Sequence, residues 1–262
     1  MNLNLKGKLA LVTASSGGLG YATAHALAEE GATVAVCSRD EGRARTAAER
    51  ISAESGETVH SYAADVSDAS SLERLFAAAT ADMGGLDILV CNAGGPPPGS
   101  FDKLGEAEWE KAYALTLQSV VRSVRLALPR MRERGGGSVL ALGSSSVKRP
   151  IPNLLLSNVF RPAVHGLCSA LAEEVASDGV RVNMLSPGRI ETERTVQLDN
   201  ARAEREGRTP EEVRASSIAT IPLGRLGHPE EFGRVAAFLC SDAASYMTGS
   251  SVVLDGGMVR CL

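Results

Sequence analysis

A run of small residues between an apolar strand and a helix constrains the fold of this chain more than any other feature. Leu9 to Val12 is apolar and too short for a helix, which predicts a buried strand. Thr13 to Gly20 follows and is rich in glycine and serine, and Tyr21 to Glu29 favours a helix. This order places free backbone N–H groups and the positive end of a helix against a pyrophosphate. An ordinary tight loop is the alternative, but the apolar run Thr33 to Cys37 follows at the distance that a βαβ unit requires.

Predicted strands and helices alternate along the rest of the chain. Further strands are expected at Thr58 to Ala64, Leu86 to Cys91, Ser138 to Leu142, Val180 to Leu185 and Ser251 to Leu254. Further helices are expected at Asp40 to Ser55, Ser67 to Met83, Glu106 to Arg134 with a break or bend near Pro129, Val159 to Ser177 and Pro229 to Ser241. No repeat or linker interrupts the alternation, so residues 1–262 are expected to form a single domain. The expected fold class is α/β: a Rossmann-type, doubly wound parallel sheet of about seven strands, with helices on both faces.

Length, charge and cysteine content limit the function classes. The chain has 262 residues and a formal net charge of −4, with no basic block, so a nucleic-acid partner is not expected. No apolar run approaches the ~20 residues of a membrane span, and the first residues lack the apolar core of a signal peptide. The cysteines are scattered without metal-type spacing, which predicts reduced core residues, no metal site and a cytoplasmic location. They are Cys37, Cys91, Cys168, Cys240 and Cys261.

Several short motifs occur in order along nearly the whole chain. They are the turn Thr13 to Gly20, Asp65, Asn92-Ala93-Gly94, Ser144 after the fifth strand, Pro187-Gly188 with Thr192, and the run from Pro222-Leu223-Gly224-Arg225 through Gly249 to Asp255-Gly256-Gly257. In these motifs the chain resembles the short-chain dehydrogenase/reductase family, and within it the 3-oxoacyl-acyl-carrier-protein reductases. The resemblance implies a dinucleotide cofactor, a small-molecule substrate and a homo-oligomer, either a tetramer or a dimer.

The resemblance also implies which residues bind the cofactor. The glycine-rich turn would bind the pyrophosphate, Asp65 and Val66 would bracket the adenine, and the residues after the fourth and sixth strands would line the ribose and the nicotinamide. The expected cofactor-binding residues are Thr13, Ser15, Ser16, Gly18, Leu19, Gly20, Ser38, Arg39, Asp65, Val66, Asn92, Ala93, Gly94, Arg161, Pro187, Gly188, Ile190 and Thr192. One position departs from the family pattern, because the first glycine of the turn is Ala14 here.

The choice between the two dinucleotides depends on the end of the second strand. In members of the family that prefer NAD, an aspartate occupies the position of Ser38 and accepts a hydrogen bond from the ribose 2′-OH. Ser38 and Arg39 instead offer a hydroxyl and a guanidinium, which suit a 2′-phosphate. NADP(H) is therefore the expected cofactor and NAD(H) the alternative, since Asp40 lies next to this pair and Arg39 can also simply face solvent.

The catalytic positions depart most from the family pattern. The family uses a serine, a tyrosine, a lysine and an asparagine, and only the serine, Ser144, is retained. Ser157 occupies the tyrosine position, Arg161 the lysine position and Thr116 the asparagine position. The pKa of a phenol is about 10 and a nearby cation lowers it, whereas an aliphatic hydroxyl is far less acidic. We therefore expect proton transfer in this chain to be atypical.

Two functions from different classes follow from these residues. The first is an NADP(H)-dependent oxidoreductase for a carbonyl or secondary alcohol, in which Ser144 or Ser145 polarises the oxygen and a water or Lys148 supplies the proton. A solvated loop lysine is the alternative for Lys148. The second is a dinucleotide-binding protein with little turnover, acting as a sensor or a partner subunit. The polar residues 191–217 are expected to form a lid over the substrate pocket.

Overall fold

One parallel sheet runs through the centre of the protein. The computed structural model describes residues 2–260. Its strands are β1 (Leu9–Val12), β2 (Thr33–Ser38), β3 (Val59–Ala63), β4 (Ile88–Cys91), β5 (Gly137–Leu142), β6 (Val180–Pro187) and β7 (Ser251–Leu254). They lie in the order β3-β2-β1-β4-β5-β6-β7, and every neighbouring pair is parallel. The central strands are apolar along nearly their whole length because helices cover both of their faces.

Helices form one layer on each face of the sheet. They are α1 (Gly18–Glu29), α2 (Glu41–Ser55), α3 (Ala69–Met83), α4 (Glu106–Tyr113), α5 (Ser119–Glu133), α6 (Leu155–Glu174), α7 (Glu193–Glu206), α8 (Pro210–Ile218) and α9 (Pro229–Cys240). Apolar side chains of α3, α5 and α6 form one buried cluster against the sheet, and those of α1, α2 and α9 form the other. The predicted fold, a Rossmann-type doubly wound sheet of seven strands with helices on both faces, is confirmed.

The strand order places the candidate site at one edge of the sheet. The order reverses at β1, which lies between β2 and β4. In such sheets a ligand crevice forms outside the carboxyl ends of the strands at the reversal. The Thr13 side chain joins these ends, because its Oγ1 donates to Asn92 O at 2.7 Å and accepts from Asn92 N at 2.8 Å.

The long helix expected over residues 106–134 is interrupted, but not at the expected residue. Pro129 lies inside α5 without ending it, and the interruption is a π-helical turn at Ala114–Gln118. Pro129 has no backbone N–H to donate to the carbonyl of Arg125, four residues earlier. Both residues are exposed. Water can satisfy a carbonyl on the solvent side of a helix, so the proline does not break α5 here.

The expected lid segment, residues 191–217, forms the two helices α7 and α8. Thr192 caps α7, and Thr209 caps α8, where its Oγ1 accepts from Glu212 N while the Glu212 carboxylate accepts from Thr209 N. An ion pair from Arg189 to Asp199 ties this segment to the chain that precedes it, and one from Arg214 to Glu191 joins the two ends of the segment. Its role as a lid stays a prediction.

Four of the five cysteines are buried free thiols, and Cys261 lies outside the described residues. Burial raises the pKa of the Cys37 thiol to about 11 and that of the Cys168 thiol to about 12. Within residues 2–260, no group of three His, Cys, Asp or Glu side chains is arranged to hold a metal ion. No helix in the same part of the chain has the length and apolar content needed to span a bilayer.

Candidate active site

The glycine-rich turn divides into residues that support it and residues that present groups outward. Thr13 and Ser15 are 2% and 0% exposed, and the Ser15 hydroxyl donates to Val12 O at 2.6 Å and accepts from Cys37 N at 3.2 Å. Ser15 N also donates to Cys37 O. Both were expected to bind cofactor, but the structure places these side chains as supports of the turn. Ser16, Gly18 and Leu19 are accessible, and the first backbone N–H groups of α1 have no side-chain cap.

Gly20 is required by a close contact between the turn and the loop after β4. Asn92 Nδ2 donates to Ala14 O at 2.9 Å. A Cβ on Gly20 would lie 2.6 Å from Asn92 Nδ2 and 2.8 Å from Ala14 O, so this contact exists only with glycine. Ala14 itself has φ +47°, the left-handed region that the family's glycine adopts without strain.

The variant Gly20→Ala is expected to weaken NADPH binding about 10-fold or more, because the methyl group displaces Asn92 and reshapes the turn. Gly166→Ala in α6 is the matched control, since a Cβ there meets no atom within 4 Å. Fluorescence titration with NADPH measures both variants after circular dichroism has shown that they fold. Equal affinity in the two variants would mean that the turn does not bind the pyrophosphate.

A cleft of about 550 Å³ opens beside this turn. Ser16, Gly17 and Gly18 line one side of it, and Arg43 and Arg50 of α2 line the other. Its size is within the range of small-molecule sites. Sequence reasoning missed Arg43 and Arg50, although the basic residues of the helix after the second strand were an available signal.

The expected adenine end contains an ionised carboxylate, Asp65, beside the guanidinium of Arg39. Burial opposes ionisation of Asp65, but hydrogen bonds from Ser67 N and Oγ, at 2.9 and 2.7 Å, and the charge of Arg39 together lower its pKa. Arg39 is exposed, so the structure leaves its side chain free to reach a ligand. Val66, the expected apolar contact for the adenine, is 6% exposed.

The neighbouring acid, Asp40, is turned towards α2. Its Oδ1 accepts from Arg43 N at 2.9 Å and so caps the helix, and Asp40 N donates to Ser38 Oγ at 3.3 Å. A carboxylate at a helix N-terminus is offset by the positive helix end. Asp40 therefore opposes a 2′-phosphate less than its place in the sequence implies.

The residues expected to bind the nicotinamide lie next to the glycine-rich turn. The Thr192 side chain comes within 3.9 Å of the Cβ position of Gly18. Ile190 is 4% exposed and pairs with Gly227 outside the main sheet, while Pro187 and Gly188 continue from β6. The residues expected to line the ribose, Asn92, Ala93 and Gly94, are accessible at the end of β4.

Three of the four expected catalytic positions, Ser144, Ser157 and Arg161, lie close together at the end of β5. Ser144 caps the short turn at 145–147, and its Oγ accepts from Ser146 N at 3.1 Å. Ser146 Oγ lies 3.2 Å from Ser157 Oγ, and Arg161 Nη1 donates to Leu142 O at 2.6 Å. Ser144, Ser157 and Arg161 are therefore linked through their contacts to one short segment of backbone.

Thr116 occupies the π-helical turn that packs against α6. Its Oγ1 is fully buried and has no hydrogen-bond partner in the described part of the chain. A buried hydroxyl in this state is suited to bind a water molecule. The π-turn at this position is the kind of local distortion that often accompanies functional sites.

Lys148, the candidate proton donor, and the aromatic and histidine side chains near the cluster make no hydrogen bond to Ser144, Ser157 or Arg161 in the described residues. Lys148 is exposed, and its side chain makes no hydrogen bond or ion pair with any residue of the described range. Tyr113 is 42% exposed, and its ring lies 6.0 Å from that of Phe160, on the outer side of α6. Trp109 packs edge-on against the same ring at 5.9 Å. His165 is half-buried on α6.

The site contains two guanidiniums, of which Arg161 is buried and Arg194 is half-buried. Burial, and to a smaller extent the positive charge of Arg194, lower the pKa of Arg161 to about 10. Burial also lowers the pKa of Arg194, whose Nη2 donates to Pro96 O at 2.7 Å. Arg161 thus stays charged at neutral pH and is a poor proton donor. Sequence reasoning missed Arg194, whose place two positions after Thr192 was the available signal.

Comparison with known proteins identifies the family. A family model described as enoyl-(acyl carrier protein) reductase matches residues 13–259. The chain belongs to the short-chain dehydrogenase/reductase family. The chain is 39% identical over 261 residues to dehydrogenase/reductase SDR family member 4 of Bos taurus, covering 98% of this chain and 89% of that protein. It is 36% identical over 258 residues to the 3-oxoacyl-[acyl-carrier-protein] reductase FabG of Vibrio cholerae, covering 98% and 99%.

Among solved structures, this short-chain dehydrogenase/reductase is similar to L-sorbose reductase from Gluconobacter frateurii. The TM-score is 0.95 with 31% identity over 100% of both chains, and that enzyme was crystallised with NADPH and L-sorbose. The resemblance inferred from the motifs is thereby confirmed at the level of the family, whose members are NAD(P)-dependent oxidoreductases.

Proposed function

We propose that this protein is an NADP(H)-dependent oxidoreductase that interconverts a carbonyl group and a secondary alcohol, with proton transfer that does not use a tyrosine. The observation that carries the proposal is the turn at the start of α1. The start of α1 has no side-chain cap, and Ser16, Gly17 and Gly18 line a cleft of about 550 Å³ that Arg43 and Arg50 also line. This arrangement suits a dinucleotide with phosphate groups.

Three features of the adenine end support NADP(H) over NAD(H). Ser38 is smaller than aspartate and uncharged, Arg39 next to it is exposed, and Arg43 lines the cleft, so two positive charges are available to a 2′-phosphate. Asp40 is held by the helix cap, so it does not take the place of the ribose-binding aspartate. The NADPH complex of L-sorbose reductase is consistent with this preference.

The catalytic step would depend on positions rather than on a strong acid. The bound cofactor supplies or accepts the hydride. Ser144 Oγ accepts from Ser146 N, so its own O–H remains available to donate to the substrate oxygen. Arg161 places a permanent positive charge beside the negative charge that develops on that oxygen. A water held by Thr116, or Lys148 after a movement of its loop, would supply the proton.

A second candidate function is supported by the state of Ser157. Ser157 is only 8% exposed, and its Oγ lies 3.2 Å from Ser146 Oγ. Its hydroxyl is far less acidic than the tyrosine phenol that the family has at this position. A protein with this substitution can bind the dinucleotide and turn over little, as a sensor or a partner subunit.

Two measurements, steady-state NADPH oxidation and NADPH binding, distinguish the oxidoreductase from the binding protein. The substrates are a panel of ketones and 3-oxoacyl thioesters, and binding is followed by fluorescence. Turnover of any member of the panel supports the oxidoreductase. Tight binding of NADPH without turnover of any substrate supports the binding protein, and failure to bind either dinucleotide contradicts both.

In the oxidoreductase, Ser144→Ala is expected to lower kcat by roughly 100-fold, because it removes a hydrogen-bond donor to the developing oxyanion. The affinity for NADPH should change little, since Ser144 lies at the substrate side of β5. Ser100→Ala, on the exposed loop after β4, is the control. Steady-state kinetics measure both variants. If Ser144→Ala keeps the parent kcat, Ser144 does not polarise the substrate.

A further inference from the structure

Two arginines from different elements converge on the carboxyl ends of neighbouring strands. Arg161 projects from α6 and donates to the carbonyl of Leu142, the last residue of β5. Arg194, in the first turn of α7, donates to the carbonyl of Pro96 in the loop that follows β4. Strands β4 and β5 are paired through Cys91 and Ala141 at this end, so both side chains lie at the same edge of the sheet.

The backbone of the loop after β4 is shaped around Arg194. A Cβ on Gly95 would lie 2.9 Å from both Nε and Nη2 of Arg194, so the guanidinium lies directly against this glycine. Pro96, whose carbonyl accepts from Arg194, is buried. These contacts hold the guanidinium over the loop and against the candidate site.

Neither guanidinium has a counter-ion in the described part of the chain. Each makes one hydrogen bond, to a backbone carbonyl, and no carboxylate acts on the charge of either. None of their nitrogens is among the fully buried polar atoms that lack a partner, so the remaining N–H groups face accessible space. Two like charges brought together in this way cost stability unless an anion joins them.

Arg181 shows what a purely structural buried arginine looks like in the same protein. Its Nη1 donates to the carbonyls of Leu239 and Met247, and its Nη2 donates to that of Ser241. Asp242 also offsets its charge. Arg161 and Arg194 each use only one guanidinium nitrogen in a hydrogen bond, and neither has an acid nearby. Their remaining N–H groups are therefore free to bind a ligand.

We propose that Arg161 and Arg194 together bind a carboxylate of the substrate, so that the protein acts on oxo acids or the matching hydroxy acids. This inference rests on the proposed oxidoreductase function, because it assigns a substrate class to that site. The planar fork of a guanidinium pairs with both oxygens of a carboxylate, which fixes the orientation of the ligand. Arg161 is linked to Ser157 and Ser144 at the end of β5, which places the carboxylate beside the reacting carbonyl.

The pyrophosphate of the cofactor is the competing occupant. The observed placement favours the substrate, because the pyrophosphate turn is at the end of β1 and has its own uncapped N–H groups. Arg161 and Arg194 instead contact the backbone at the ends of β5 and β4. Binding experiments on the cofactor-loaded protein distinguish the two occupants.

Titration calorimetry with malonate, and with malonamide as its neutral counterpart, tests the site without turnover. We expect malonate to bind the protein saturated with NADP⁺ and malonamide not to bind. Arg161→Gln and Arg194→Gln should each weaken malonate binding about 10- to 100-fold. Arg205→Gln, an exposed position on the same helix as Arg194, should leave it unchanged. Malonate that binds only the cofactor-free protein, and is displaced by NADP⁺, would assign the arginines to the pyrophosphate and overturn the proposal.

A kinetic comparison separates this inference from the oxidoreductase function. Pyruvate and acetoacetate are compared with their methyl esters as substrates for NADPH oxidation. Higher kcat/KM for the acids, lost in Arg194→Gln, supports the carboxylate site. Equal reduction of acids and esters overturns the carboxylate site and leaves the oxidoreductase intact. Malonate binding to the loaded protein, without reduction of these compounds or of any member of the panel of ketones and 3-oxoacyl thioesters, supports the anion site and contradicts the oxidoreductase function.

Discussion

Changing Ser157 to Tyr and Arg161 to Lys together is expected to raise NADPH-dependent reduction of a neutral ketone by roughly 100-fold or more. General acid catalysis by a positioned side chain contributes about 10²- to 10⁴-fold, and the parent lacks such an acid at this position. The phenol would project from the first turns of α6 towards Ser144, and the ammonium would lower the pKa of that phenol. Initial rates under NADPH saturation measure the gain.

Two controls separate the proton transfer from the change in packing. Ser157→Phe with Arg161→Lys brings the same ring without the hydroxyl and should show no gain. Arg161→Lys alone should show little gain, because it leaves only the weakly acidic serine. The pH profile gives a further check, since activity in the double variant should fall as pH rises through the pKa of the new phenol, whose proton is the one transferred. A double variant that folds, binds NADPH and gains nothing would mean that Ser157 and Arg161 do not occupy the acid positions.

The sheet and the position of the glycine-rich turn were predictable from the sequence because their signals are local. Apolar runs such as Leu9–Val12 are confirmed as strands, and the glycine-rich turn that follows is where the structure has its uncapped helix start. The start of α8, the second helix of the expected lid, could also have been predicted, because Thr209, Pro210 and Glu212 form a capping signature. Sequence reasoning treated this segment as polar chain and missed it.

The site itself depends on contacts between residues far apart in the chain, which no local pattern encodes. Arg194 reaches the carbonyl of Pro96, and Arg161 reaches that of Leu142, only because α7 and α6 cross the ends of β4 and β5. The burial of Ser15, whose hydroxyl bonds to Val12 O and Cys37 N, likewise follows from packing between β1 and β2. The π-turn at 114–118 packs on α6, as α4 does, and Pro129 lies further along the chain inside α5.

The variant Ser38→Asp is expected to reverse the preference between the two dinucleotides. The new carboxylate would lie at the end of β2, where the resemblance to the family implies the ribose. It would repel a 2′-phosphate by about 2–3 kcal/mol at the partly screened distances of a surface site, which corresponds to a roughly 100-fold loss of NADPH affinity. It would also accept from the 2′-OH of NADH and raise that affinity, so the ratio of the two dissociation constants should change by about 10³-fold.

Ser38→Asn is the matched control, because it has the size of aspartate without the charge. It should weaken NADPH binding less than Ser38→Asp does, and raising the ionic strength should reduce the difference between the two variants. Fluorescence titration of both dinucleotides at two salt concentrations measures these effects. Arg39 and Arg43 remain in every variant, so a parent that binds NADH as tightly as NADPH would contradict their role at the 2′-phosphate. Equal losses of NADH and NADPH affinity in Ser38→Asp would place the ribose away from the end of β2.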